Sequence, residues 1–403
     1  MLHFIKRALS AIKRKIDPTD NGRVKRMMKN PPAVESDSIV FTSSVDFSGN
    51  PKALFLYMIE HGYNERYKIT WLFERAENYF EFDIPNVSSE IIWNKKGIRR
   101  PAAQRAAMSA KYIFYSHNVN WVRKYSEEQS FINLWHGCGY KADQKSDERK
   151  IYYDYLIVTG EKYIDIFKKV LKKPDGNILD LGYPRNEFFI SNRSNASDLI
   201  EKIKSDANAK KCIIWLPTYR KSVQPRLASD TGLGETDLPI LYDDGFVKEL
   251  DTYCKEQNVV ILLKRHFLQQ DYDIQSCDLE NIQLIDDEYL VKMDADFYEL
   301  MSNTDALLTD YSSVAIDYLL LDKPIGYTLD DFEQYEKARG WSFENVKDYM
   351  PGHHIYTISG IKEFIGDVAV GRDPHRDWRN KIKPEVQTYE EGFSKRILDY
   401  FGI

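Results

Sequence analysis

The sequence predicts an α/β protein of two tandem parallel-sheet domains facing a cleft, preceded by a basic amphipathic helix. Three observations lead there. From about residue 38 onward, short apolar runs alternate with helical segments, the rhythm of parallel sheets wrapped by helices. That rhythm restarts after a polar stretch, SNRSNASD, at 191–198. A chain of 403 residues also exceeds one ordinary core and suits two domains of roughly 150–200 residues each.

In the first half, SIVFTS (38–43), KITWLF (68–73), SEIIW (89–93), YIFYS (112–116), FINLW (131–135) and YLIVT (155–159) read as strands. Segments 51–62 and 98–110 between them have helical composition. In the second half, CIIWLP (212–217), VVILLK (259–264), IQLID (282–286), ALLT (306–309) and PIGYT (324–328) repeat the pattern. Near-continuous apolar runs of this length fit strands buried on both faces. The expected units are a membrane-association segment at 1–30, a first domain at 31–190 and a second at 199–375. A helical tail at 376–403 is expected to return to the first domain.

Composition narrows the function. The formal net charge of −6 argues against a nucleic-acid binder, whose domains carry a basic face. Cys138, Cys212, Cys254 and Cys277 are scattered singly, without metal-ligand or disulfide spacing. No segment is long and apolar enough to span a bilayer. The first thirty residues depart from the acidic balance, with nine Lys/Arg against two Asp. Leu2, Ile5, Leu9, Ile12 and Ile16 recur at helical spacing among these cations. The pattern fits a helix lying on an anionic membrane surface, or a surface helix packed on its own domain.

Ligands of open parallel sheets sit beyond the carboxyl ends of the strands, so the polar residues ending each apolar run are the candidates. After 131–135 comes His136-Gly137-Cys138-Gly139-Tyr140-Lys141. An imidazole beside two glycines stands where backbone can approach a ligand closely, and its pKa suits proton transfer near neutrality. On spacing alone, a histidine that merely caps the turn is the plainer alternative. After 178–182 comes Tyr183-Pro184-Arg185-Asn186, whose guanidinium fork matches a phosphate; a surface arginine is the plainer alternative. Pro217-Thr218-Tyr219-Arg220 and Lys264-Arg265-His266 end two strands of the second half.

Thr309-Asp310-Tyr311-Ser312-Ser313 interrupts two apolar segments, and 313–321 should form a buried helix. The first N–H groups of a helix favour an anion. One serine suffices as a cap, which leaves a hydroxyl for a phosphate. Asp294-Ala295-Asp296 has the form of a metal-binding pair but precedes a helical run, where an N-cap fits better. No Walker-type or dinucleotide glycine pattern occurs.

Together, NLWHGCGYK, LGYPRNEFF, IIWLPTYR, LLKRH, DFYELMSNTDALLTDYSSVAIDYLLLDKPIGY and YEKARGW resemble, in order, the CDP-glycerol glycerophosphotransferases of teichoic-acid and capsule polymer synthesis. The resemblance covers about residues 110–355. It implies the GT-B fold, two Rossmann-like domains, and transfer of a polyol phosphate from a CDP-polyol to a hydroxyl of a lipid-linked acceptor, with release of CMP. It implies His136 as the base and His266 as a second histidine at the donor phosphates. Ser312 and Ser313 would hold the pyrophosphate. Arg185, Thr218, Lys264, Asp310 and Arg339 fall in the same shared motifs as donor-binding candidates. No cofactor or metal is implied, and the expected location is the cytoplasmic face of the plasma membrane. Two departures stand out: the family's His-Gly-Thr-Pro reads His136-Gly137-Cys138-Gly139, and Phe267 replaces a proline. A nucleotide-sugar glycosyltransferase, a CDP-ribitol enzyme and a non-catalytic binder remain as alternatives.

Overall fold

A computed structural model describes residues 20–117, 124–142, 152–171, 176–191, 194–218, 236, 238–264 and 278–403. Seven strands form the first sheet: β1 (Glu35–Thr42), β2 (Lys68–Phe73), β3 (Val87–Ile91), β4 (Ala110–Tyr115), β5 (Ser130–Asn133), β6 (Tyr155–Val158) and β7 (Asn177–Asp180). Their order is β3-β2-β1-β4-β5-β6-β7. Six strands form the second: β8 (Lys211–Leu216), β9 (Val259–Leu263), β10 (Ile282–Leu284), β11 (Ala306–Thr309), β12 (Ile325–Thr328) and β13 (His353–Ile355). Their order is β10-β9-β8-β11-β12-β13. Neighbouring strands pair in parallel throughout. The two-domain parallel-sheet fold expected from the sequence is therefore the fold observed.

The strands are apolar for the reason the sequence gives. β9 is buried at all five positions and β11 at all four, because helices cover both faces of each sheet. β13 escaped the sequence reading: its residues, His353-His354-Ile355, carry no apolar run, and its pairing with β12 supplies the order.

Helices α1 (Asp20–Lys29), α2 (Gly49–Glu60) and α3 (Pro101–Ser109) serve the first sheet, and α4 (Glu161–Val170) follows β6. The stretch 191–198 is only partly a connector, because α5 (Ala196–Asp206) starts inside it and buries Ala196, Leu199 and Ile200. In the second domain, α6 (Asp244–Glu256), α7 (Asp287–Lys292) and α8 (Phe297–Ser302) each begin on an aspartate cap. Asp296 accepts from Tyr298 N and Glu299 N at the start of α8, which accounts for the second acid of that motif. The predicted helix 313–321 is shorter than expected. It comprises α9 (Val314–Tyr318) and a 3-10 turn at Leu319–Leu321, stopped by Asp322 at φ 47°.

After α10 (Phe332–Arg339) and α11 (Ile358–Ala369), α12 (Arg376–Val386) and α13 (Phe393–Phe401) run from the second lobe onto the first. Arg379 pairs with Asp373 and Asp322. Farther on, Thr159 Oγ1 donates to Val386 O at 2.8 Å and Tyr112 Oη to Phe401 O at 3.1 Å. One apolar core, with Tyr140, Tyr163, Tyr183, Tyr327 and Phe343, continues across the junction of the lobes.

Candidate functional site

The strand order reverses at β1/β4 in the first sheet and at β8/β11 in the second. These are the crevices where open α/β sheets bind ligands. His117 follows β4, His136 follows β5, Thr218 follows β8 and Ser312-Ser313 follow β11. The carboxyl-end loops of the two sheets meet each other.

On the first lobe, the His136 ring is stacked between two neighbours. His117 lies parallel to it, with ring centroids 4.0 Å apart and an interplanar angle of 8°. Trp135 lies at 4.5 Å, tilted by 35°. Both neighbours adopt left-handed backbone, His117 at φ 63° and Trp135 at φ 52°, which is costly for a residue as bulky as tryptophan. A single buried amide holds both: Asn133 Nδ2 donates to His117 O at 3.2 Å, and Asn133 Oδ1 accepts from Trp135 N at 2.8 Å. Asn50, at the start of α2, adds Nδ2 bonds to Leu134 O and Trp135 O at 2.9 and 3.1 Å.

His136 keeps solvent exposure, yet protein crowds its ring on most sides. That loss of water, reinforced by His117, Arg185 and Lys141, holds its pKa well below the ordinary value. Burial, with Arg185 adding to it, pushes His117 down to about 4. Both imidazoles are therefore neutral at pH 7, the state in which a ring nitrogen accepts a proton.

The second lobe presses its serine turn directly onto this loop. A β-carbon at Gly137 would lie 2.3 Å from Ser313 Oγ, and one at Gly139 would lie 2.9 Å from Ser313 Cβ and 3.2 Å from Ser313 Cα. Only glycine permits that approach. Ser313 occupies the N-cap of α9 without a side-chain cap bond, and Ser312 Oγ accepts from Val314 N at a long 3.4 Å. Among the described residues the two hydroxyls are thus hardly used by the helix. α9 itself is too short to carry much of a dipole, so hydroxyls and individual N–H groups are what this turn offers a ligand.

Further contacts lock the same loops. Lys141 and Trp341 form an antiparallel bridge, and Ser342 N donates to Tyr140 O at 2.7 Å. Tyr140 and Tyr327 hydroxyls are 3.2 Å apart. The motifs at 133–141 and 335–341, remote in sequence, are one structural unit. Cys138, standing where a threonine was expected, is buried against the Tyr183 hydroxyl at 3.0 Å, and burial pushes its thiol up to about 12. It is a packing residue.

Two candidates occupy roles other than those expected of donor ligands. Arg185 does not project into open cleft. Its Nη1 donates to His136 O at 2.7 Å and its Nη2 to Asp317 Oδ2 on α9, with Tyr298 Oη donating to the same carboxylate at 3.0 Å. The guanidinium thus ties the histidine loop of one lobe to the serine helix of the other. Asp310 is fully buried and accepts from Thr218 N at 2.8 Å and from Thr218 Oγ1. A carboxylate engaged this way fixes the β8/β11 crevice and does not attract a phosphate.

Lys264, at the end of β9, pairs with Asp287 at 2.9 Å. Arg339 lies in the last turn of α10, just before the Lys141–Trp341 bridge. His266, Tyr219 and Arg220 lie outside the described residues. His117, Asn50, Asn133 and Asp317 were missed, although YIFYSH showed an imidazole at a strand end as plainly as His136.

A family model described as CDP-Glycerol:Poly(glycerophosphate) glycerophosphotransferase matches residues 24–401. The teichoic acid poly(glycerol phosphate) polymerase of Staphylococcus epidermidis is 27% identical over 358 residues, covering 80% of this chain and 44% of that protein. This chain therefore spans less than half of that relative's length. The teichoic acid glycerol-phosphate primase of Bacillus subtilis is 25% identical over 346 residues, 79% of this chain and 81% of that one. The solved structure of the wall teichoic acid polymerase TagF superposes with a TM-score of 0.68 at 22% identity, covering 95% of this chain and 93% of that one. That likeness is one of fold.

Proposed function

The chain belongs to the CDP-glycerol:poly(glycerophosphate) glycerophosphotransferase family, and on that premise we propose that it transfers glycerol phosphate from CDP-glycerol to a hydroxyl of a membrane-linked acceptor. An acceptor oxygen attacks the β-phosphorus and forms the new phosphodiester bond. The bond from that phosphorus to the bridging oxygen breaks, and CMP leaves with the electron pair. The acceptor proton passes to the neutral imidazole of His136. Ser312, Ser313 and the N–H groups of their turn stabilise charge on the phosphates, the kind of preorganised electrostatics that drives phosphoryl-type transfer.

The observation that carries this reading is the contact of Gly137 and Gly139 with Ser313, which brings the imidazole loop and the hydroxyl turn to one cleft. No metal or cofactor is invoked, and His266 is retained as a donor-phosphate contact from the family resemblance. Among the described residues no helix is long and apolar enough to cross a membrane, and a peripheral site on the cytoplasmic leaflet suits a lipid-linked acceptor.

The test follows CMP release with an acceptor lipid and, separately, CDP-glycerol, CDP-ribitol or a nucleotide sugar. His136→Ala should lower turnover by about 10²–10³ with CDP-glycerol affinity kept. Ser312→Ala with Ser313→Ala should weaken donor binding. A His136→Ala enzyme that turns over normally removes the base assignment. Release of a nucleoside diphosphate with a new glycoside makes the protein a glycosyltransferase.

A further inference from the structure

A histidine that takes up a proton during acyl or phosphoryl chemistry is commonly held by an acid that stabilises the imidazolium. His136 has no such partner. Among the described residues no carboxylate bonds to it, and the charged groups that bear on its ring are Arg185, from the turn Pro184–Phe189, and Lys141, from its own loop. Both are cations. Asp317, on α9 of the second lobe, is taken up by Arg185 and Tyr298. A proton arriving on His136 therefore meets positive charge and no counterion among these groups.

Two aromatic rings lie against His136 instead. The Trp135 ring is 4.5 Å away, tilted by 35°, and the His117 ring is 4.0 Å away, within 8° of parallel. An aromatic face attracts a cation within about 6 Å, and tryptophan is the strongest such face. Phe167 braces Trp135 edge-on at 5.3 Å and 85°. Both neighbours pay a backbone penalty to stand there, at φ 52° and 63°, and outliers of this kind cluster at working sites. Asn133 and Asn50 each spend an amide bond on the Trp135 peptide. Burial and Arg185 keep His117 uncharged, with a pKa of about 4, so it offers a ring without adding a third positive charge.

We propose that Trp135 and His117 stabilise the imidazolium that His136 becomes during transfer, through the two rings stacked against it. The acceptor O–H bond breaks, its proton goes to the free ring nitrogen of His136, and the electron pair stays on the oxygen that attacks phosphorus. Trp135 and His117 act through His136 and not on the substrate; they are positioning residues. The inference deepens the proposed transfer and rests on it for its purpose, while its effect on His136 is measurable in the resting protein.

Trp135→Met is the test, because it keeps an apolar cover over the imidazole and removes the π face. Site-resolved histidine NMR, assigned with His136→Ala, should show the His136 pKa falling by about one pH unit. The acid limb of kcat/KM should move down with it, and kcat should fall about ten-fold with KM for CDP-glycerol unchanged. Trp135→Phe should recover most of the loss. Fluorinated tryptophan at position 135 weakens the face while keeping its shape, so the pKa should fall in step with fluorine number even if the methionine variant folds poorly. A His136 pKa that stays or rises in Trp135→Met, or across the fluorinated series, overturns the proposal and leaves Trp135 as a shield against water. A wild-type protein that releases no CMP, with the pKa still falling in the variants, keeps the ring stack and removes the proposed transfer.

Discussion

Arg185→Ala is the perturbation that most directly tests how the two lobes are held in register. The Arg185 side chain is 10% exposed and Asp317 only 1%, so the variant leaves a buried carboxylate without its cation. Removing one partner of such a pair costs about 3–5 kcal/mol. Here the lower end applies. Tyr298 Oη still donates to Asp317, and Asp317 Oδ1 already lacks a partner among the described residues, so the native pair is not fully satisfied. A loss of about 3 kcal/mol lowers the melting temperature by roughly 6–12 °C for a unit of 150–250 residues. Thermal unfolding and CMP release are the assays. The decisive companion is Arg185→Met with Asp317→Leu. Replacing a buried pair by apolar groups of similar volume is often neutral or stabilising, so melting should return to near wild type. Turnover should stay about a hundred-fold low, because His136 O has lost the donor that anchors its loop. Arg185→Ala melting within about 2 °C of wild type, or full turnover in the Met/Leu protein, would refute the reasoning.

Gly139→Ala sets a β-carbon 3.2 Å from Ser313 Cα; backbone must move, so a cost of about 1–3 kcal/mol and a drop in kcat are expected from melting and steady-state kinetics. Asn133→Ala frees the two left-handed residues beside His136; kcat should fall with KM for CDP-glycerol nearly unchanged, and a fall in both would place the residue in donor binding. His117 has a folded-state pKa near 4 against 6.5 unfolded, so the unfolded chain binds the proton first. Its stabilisation is complete above about pH 6.5 and is lost as the pH falls through 4, amounting to about 2–3 kcal/mol near pH 4.5. His117→Phe keeps a stacked ring without the proton and should flatten the acid side of a stability–pH curve. The same neutral state of His136 predicts an acid limb of kcat/KM below 6.5, and binding of the anionic donor should move the limb of kcat upward.

The fold was legible because its strands are apolar runs with nowhere to go except between helices. All eleven runs named as strands from the sequence carry strands; β7 is read there only as the segment before Tyr183, and the other omission, β13, is the one whose order comes from a neighbour. The cleft was legible for a related reason. His136, Ser312 and Ser313 stand at strand ends, where a polar residue between buried segments has no packing role to explain it. The sequence could not say which polar residues serve the ligand and which serve each other. Arg185 and Asp317 are 132 residues apart, and Asp310 and Thr218 are 92 apart. Arg185, Asp310 and Thr218 looked like ligand groups because the partner of each lay in the other lobe or across a crossover. Asn133 shows the converse. It reads as the polar end of a strand, yet its amide fixes two backbone conformations that few residues adopt unaided. The proposed base, His136, is thus a local feature of the sequence, while the placing of its loop comes from long-range contacts. For that reason the variants that separate Arg185 from Asp317, or Asn133 from its two carbonyl and amide partners, test the mechanism more sharply than removal of His136 alone.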